Sequence, residues 1–185
     1  MKKFFVSLLI VAMTALPAAA REIAGVKLEP AVTVKGKELK LNGCGIRKKF
    51  FVKVYVGSIY SGKRLASAAE ALRESGDKLI RMNFLHSKVE KEKIVDAFSE
   101  GIANNSPELA GSPEARRFLA LFTADFHRGD VVDLFLGGDG SVSASHNGRQ
   151  LGTVASGKLA RGVLAIYLGD KPADEELKSG MLGRN

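Results

Sequence analysis

The sequence is poor in the residues that staple a fold or hold a metal. Its 185 residues include one cysteine, Cys44, three histidines, five prolines and no tryptophan. A lone cysteine excludes an intrachain disulfide, and Cys44 reads as a small packed residue rather than a nucleophile. Zinc needs clustered ligands, and His86, His127 and His146 show no such spacing. No metal and no cofactor is expected. A phosphate loop is also missing, because Gly137-Gly138-Asp139-Gly140 is followed by neither Lys-Ser/Thr nor a helix. Past residue 20 no apolar run approaches the length of a membrane span. There is no internal repeat and no low-complexity linker, which predicts one domain over residues 21–185. A chain of that length can bury a core without staples.

What is present begins with a targeting pattern. Lys2 and Lys3 precede an apolar stretch over 4–16, and Ala18-Ala19-Ala20 offers a small-residue cleavage site. This pattern predicts a signal peptide over 1–20 and a periplasmic or secreted protein starting at Arg21. Cys44 is not at the cleavage site, so it does not read as a lipid anchor. The whole chain carries a formal charge of +8, and loss of Lys2 and Lys3 removes two of those charges. The remaining basic balance suits an anionic ligand or contact with an anionic membrane surface, although it also describes a merely solvated basic face. No nucleic-acid recognition motif is present, and nucleic acid is not an expected partner.

The chain is organised around residues 41–60, LNGCGIRKKFFVKVYVGSIY. Asn42-Gly43 signals a tight turn. Residues 50–60 are rich in β-branched and aromatic types and read as a strand. Strict alternation puts Val52, Val54 and Val56 on one face and Phe51, Lys53 and Tyr55 on the other. Such a strand lines a polar-tipped cleft or is a plain sheet strand with a solvated face.

Elsewhere, strand material is expected near 26–28, 31–34 and 78–85, and a short helix near 67–75. The spacing of Ile94, Ala97, Phe98 and Ile102 predicts an amphipathic helix over 89–103, capped by Ser87 with Glu90 as its box partner. Ser112-Pro113 starts another helix, with Phe118, Leu119, Leu121 and Phe122 on its buried side. Strands at 131–136, 141–145 and 149–154 form a meander through the turns at Gly137–Gly140 and Asn147-Gly148. Helices over 158–168 and 174–181 close the chain. Strands grouped with helices, without βαβ alternation, predict an α+β fold on a mainly antiparallel sheet.

Several of these pieces together resemble the chalcone isomerase-like family. They are the NGxGxR run (Asn42, Gly43, Gly45, Arg47), the strand KVYVGSIY over 53–60 and the helix around 89–102. The hairpin DGSVSASHNG over 139–148 and the ending IYLGDKPADEELKSGMLG over 166–183 complete the set. The resemblance implies an open-faced sandwich, a large antiparallel sheet covered by helices with a ligand cleft between. It matches Arg47 to the family arginine, which faces a developing enolate in enzymes and a carboxylate in lipid binders. A guanidinium suits both, since it is permanently charged and bonds two oxygens in a fork. Tyr55 falls where the enzymes carry a threonine and fatty-acid-binding members a tyrosine. A tyrosine and an asparagine that the enzymes use on the helix correspond to Glu90 and Ala97, neither of the required type. Arg47 and Tyr55 are therefore the expected ligand-binding residues. One straight strand would separate them by roughly 26 Å at about 3.3 Å per residue. A shared site thus requires a hairpin or bulge near 48–51.

Three functions follow. The first is a cleft that binds a fatty acid or similar small amphipathic anion. The second is an isomerase (an intramolecular lyase) that closes a chalcone-like enone, with Arg47 at the enolate-like oxygen. The third is an interaction protein with an empty cleft and a basic partner-binding surface.

Overall fold

The structure, a computed structural model, describes residues 21–184; the expected signal peptide over 1–20 lies outside them. A first hairpin pairs β1 (Arg21–Ile23) with β2 (Val26–Leu28). The main sheet is built from β3 (Ala31–Val34), β4 (Lys37–Lys49), β5 (Val52–Ser61), β6 (Lys78–Phe84), β9 (Val131–Leu136), β10 (Ser141–His146) and β11 (Arg149–Ala155). Its order is β11-β10-β9-β6-β5-β4-β3, with every neighbouring pair antiparallel. A small side ladder pairs β7 (Lys88–Val89) with β8 (Phe126–His127). The helices are α1 (Ala68–Arg73), α2 (Lys91–Asn105), α3 (Pro113–Leu119), α4 (Gly157–Leu168) and α5 (Glu175–Met181). The α+β class, with a curled antiparallel sheet covered by helices, is as the sequence predicts.

One face of the sheet carries the main core. Ile59, Ile80, Met82, Phe84, Leu134 and Val142 share one core cluster there with α4, which is buried along Leu159, Val163, Leu164, Ile166, Tyr167 and Leu168. A twelve-residue helix is marginal alone, so packing orders α4. Each large apolar side chain that it buries contributes about 1.5–3 kcal/mol. Helix α2 crosses α4 closely at Gly101, where a Cβ would lie 2.7 Å from Ile166 Cγ2. On the opposite face Leu28 covers Cys44 and Val56, so Cys44 is packed as expected.

Five sequence expectations are corrected. Asn42-Gly43 is not a turn but lies inside β4, where the register slips so that Asn42 is an extra residue between the pairs Leu41↔Tyr60 and Gly43↔Ile59. The Asn42 amide instead clamps remote backbone, donating to Leu65 O (3.1 Å) and Met181 O (2.8 Å) and accepting from Leu65 N (2.7 Å). The expected strand over 50–60 begins at Val52, because Phe50 and Phe51 form the turn of the β4–β5 hairpin, Phe50 at φ +55°. Strict alternation also fails: Arg47 pairs with Tyr55 but Lys48 with Lys53, so Val54 is bulged. Finally, α2 starts at Lys91 rather than 89, since Lys88 and Val89 are held in the side ladder. Ser87 does not cap it; Asp125 Oδ1 accepts from Lys91 N at 3.0 Å in its place. Helix α3 starts at Ser112-Pro113 as expected, with Ser112 Oγ accepting from Ala115 N, and Ser67 Oγ accepts from Glu70 N at the start of α1.

Candidate functional site

The β4–β5 hairpin turns back at Phe50-Phe51 and sets Arg47 directly opposite Tyr55. Directly opposed residues of an antiparallel pair project to the same face. Both side chains line one cleft of ≈ 520 Å³, bounded by the hairpin, β6, α2 and α4. The volume falls in the roughly 300–1,000 Å³ range of small-molecule sites. The bulge at Val54 lets Val54 and Tyr55 both contribute to its wall. Met82, Ile94, Phe98 and Ile166 add to the apolar lining. Behind it, Phe84 packs on Tyr55 at 5.6 Å and stacks on Phe126 at 4.9 Å.

Arg47 is the centre of one polar group in the cleft wall. Arg47 is a fifth exposed, and its Nη1 donates to Ala173 O and to Lys48 O (3.3 Å). Asp174 Oδ2 stands 3.9 Å from the same nitrogen and accepts from Lys48 N at 3.0 Å. Both backbone bonds leave from Nη1, so the guanidinium's other donors are not engaged by these carbonyls.

Burial pushes the Tyr55 phenol up to about 12, although the neighbouring Arg47 guanidinium and Tyr167 hydroxyl pull the other way. Tyr167, projecting from the last turn of α4, is raised well above the ordinary phenol value, first by burial and then by Tyr55. Its hydroxyl donates to Met82 Sδ at 3.3 Å, a weak acceptor. Both phenols therefore stay protonated at neutral pH and are donors rather than bases.

The rim carries Lys49, His86, Lys88, Glu90 and Lys93, and Lys88 is paired with Asp125 at 2.9 Å. Glu90 and Ala97, the positions that correspond to the enzymes' tyrosine and asparagine, also line the cleft. No cluster of His, Cys, Asp or Glu suited to a metal is found among the described residues. Sequence reasoning did not single out Tyr167 from its helix. The available signal was a residue with a polar tip in an otherwise aliphatic helix, because a buried tyrosine usually needs a partner for its hydroxyl.

Fold, cleft and sequence agree on the class of protein. The chain belongs to the chalcone isomerase-like family, whose profile matches residues 20–183. Among curated proteins it is similar to fatty-acid-binding protein 1 of Arabidopsis thaliana, 25% identical over an aligned length of 178 residues. That match covers 80% of this chain but 64% of the relative, so the chain spans less than two thirds of that protein's length. Among solved structures it resembles the crystal structure of the Arabidopsis thaliana fatty-acid binding protein AtFAP1, with a TM-score of 0.66 and 21% identity. The superposition covers 85% of this chain and 92% of the other.

Proposed function

We propose that the protein binds a fatty acid or a similar small amphipathic anion in this cleft. The carboxylate lies toward Arg47 and Tyr55, and the tail runs among Met82, Ile94, Phe98 and Ile166. The observation that carries the reading is the Arg47 guanidinium beside two protonated phenols in a cleft walled by Met82, Ile94, Phe98 and Ile166. A carboxylate accepts from all three without changing the protonation of any. An aliphatic tail gains about 0.8 kcal/mol for each CH₂ that it buries. The fatty-acid-binding protein of Arabidopsis, similar in sequence, supports the same ligand class.

Export and surface contact complete the proposal. The basic, apolar and small-residue order of 1–20 supports a signal peptide and a periplasmic or secreted protein. The basic balance that remains of the formal +8 after loss of Lys2 and Lys3 supports contact with an anionic membrane surface.

The test is to extract the purified protein into organic solvent and identify co-purifying molecules by mass spectrometry, with Arg47→Ala in parallel. Delipidated protein is then titrated with a fluorescent fatty acid. A fatty acid in the native extract, with affinity lowered roughly ten- to a hundredfold in the variant, is the expected result, as a charge-assisted hydrogen bond contributes about 1.5–3 kcal/mol. No saturable binding by the native protein would overturn the reading.

A further inference from the structure

The tip of the β4–β5 hairpin is built unlike the rest of the surface. Phe50 is 88% exposed, Phe51 102% and Val52 43%, and these are the large hydrophobics found exposed among the described residues. Phe50 also holds φ +55°, a conformation suited to glycine or asparagine and unfavourable for a bulky side chain. Neither packing nor turn chemistry accounts for two adjacent phenylalanines there. Lys49 and Lys53 flank the tip, both exposed and with no ion pair among the described residues, whereas Lys48 is held by Glu176 at 2.6 Å. The tip also borders the mouth of the cleft: Lys49, Phe50 and Val52 lie on its lining, with Lys88 and Lys93 across from them.

We propose that this hairpin docks the protein on a bilayer containing anionic phospholipid, with the mouth of the cleft facing the membrane. Phe50 and Phe51 enter the boundary between headgroups and acyl chains, and Lys49 and Lys53 meet the lipid phosphates. Aromatic side chains flanked by lysines are the chemistry of an interfacial anchor. The charge complementarity selects a lipid surface over a second copy of this basic chain, whose tip would bring lysines against lysines. Docked in this way, the cleft exchanges its ligand with the bilayer without an excursion through bulk water. That exchange rests on the fatty-acid reading above; the docking does not.

The experiment is sedimentation of the protein with vesicles of phosphatidylcholine alone or mixed with phosphatidylglycerol. Native protein is compared with Phe51→Ser and Lys53→Glu, two exposed positions that do not line the cleft. Binding is expected on the mixed vesicles, weaker on phosphatidylcholine alone and weaker at high salt. Phe51→Ser is expected to lose about tenfold or more and Lys53→Glu at least about fivefold. Both variants keep the native affinity for a fluorescent fatty acid in solution but transfer it to vesicles more slowly. Native protein that does not bind mixed vesicles, or variants that bind like native, would overturn the docking while leaving the fatty-acid reading intact. Vesicle binding lost in Phe51→Ser, with no fatty acid bound by any form, sinks the fatty-acid reading and leaves the docking standing. A dimer detected by light scattering that Phe51→Ser dissolves, without vesicle binding, would assign the tip to a second copy and overturn the proposal.

Discussion

Replacing Gly43 with alanine drives a methyl group into the backbone of the C-terminal segment. The added carbon would collide with Gly180 O and lie 2.6 Å from Met181 O and 2.7 Å from Gly183 N. All three are main-chain atoms, so no side-chain rotation relieves the clash. Helix α5 must instead shift away from β4 by several tenths of an ångström or more. That shift pulls Met181 O from the Asn42 amide and loosens Leu177 and Met181, both fully buried. Overpacking commonly costs about 1–3 kcal/mol, and the loss of one clamp hydrogen bond about 1 kcal/mol more. We expect about 3 kcal/mol in all, seen in urea unfolding as a lower midpoint. For a domain of this size that is a fall in Tm of roughly 6–12 °C. Gly62→Ala is the control, because nothing lies within 4 Å of a Cβ there and its φ is ordinary. A Gly43→Ala protein within about 0.5 kcal/mol of native would refute the reasoning.

Other perturbations address the site directly. Arg47→Lys keeps the charge but loses the planar fork, and is expected to bind the fluorescent fatty acid about tenfold more weakly than native in the same titration. Tyr55 holds its proton up to about 12 when folded but near the ordinary phenol value when unfolded. The folded state therefore binds the extra proton, and this stability is complete below pH about 10 and lost as pH rises toward about 12. Thermal unfolding across that window should fall more steeply for native protein than for Tyr55→Phe; parallel curves would count against the buried phenol. Chalcone is expected to remain unconverted in a spectrophotometric cyclisation assay, because Glu90 and Ala97 line the cleft where the enzymes carry a tyrosine and an asparagine. Turnover lost in Arg47→Ala would reverse that expectation. Removal of the proposed signal peptide is expected to leave a protein that begins at Arg21 by N-terminal sequencing; retention of residues 1–20 would contradict that proposal.

Two copies of one dipeptide show what was legible in the sequence and what was not. Asn147-Gly148 signals a turn and makes one, with φ +49° and +77° joining β10 to β11. Asn42-Gly43 gives the same local signal, yet both residues are strand residues with ordinary φ. What separates the two cases is α5, remote in the sequence, whose packing decides that this asparagine clamps and this glycine clears space. Local chemistry was sufficient wherever an element is closed by its own residues. The meander of β9, β10 and β11 and the start of α3 at Ser112-Pro113 are of that kind. It failed where a distant partner acts: Asp125 supplies the α2 cap that Ser87 was expected to provide. The pairing of Arg47 with Tyr55 stands between these cases. Spacing alone showed that a shared cleft needs a reversal near 48–51, and no glycine there advertised it, because the turn is made by Phe50 and Phe51.

The NGxGxR run then has a single physical account. Gly43, Gly45 and Arg47 follow at every second residue, so they share the helix-bearing face of β4. Across the ladder they oppose Ile59, Gly57 and Tyr55. A Cβ at Gly45 would meet Leu177 Cα at 3.0 Å, and one at Gly57 would meet Leu177 Cδ1 and Met181 Cε at 2.9 Å. The three glycines therefore form a smooth floor on which α5 lies against the strands. Asn42 fastens one end of that helix through Met181 O. At the other end, Ala173 O takes the Arg47 guanidinium and Asp174 takes Lys48 N. The floor stops at Arg47 and Tyr55 because there the covering helix stops, and the same face of the sheet opens into the cleft. Seating α5 and aiming the arginine are thus one structural event, and Gly43→Ala should weaken fatty-acid binding as well as stability although Gly43 does not line the cleft. Affinity unchanged in a Gly43→Ala protein that is destabilised yet folded would separate the two and break this account.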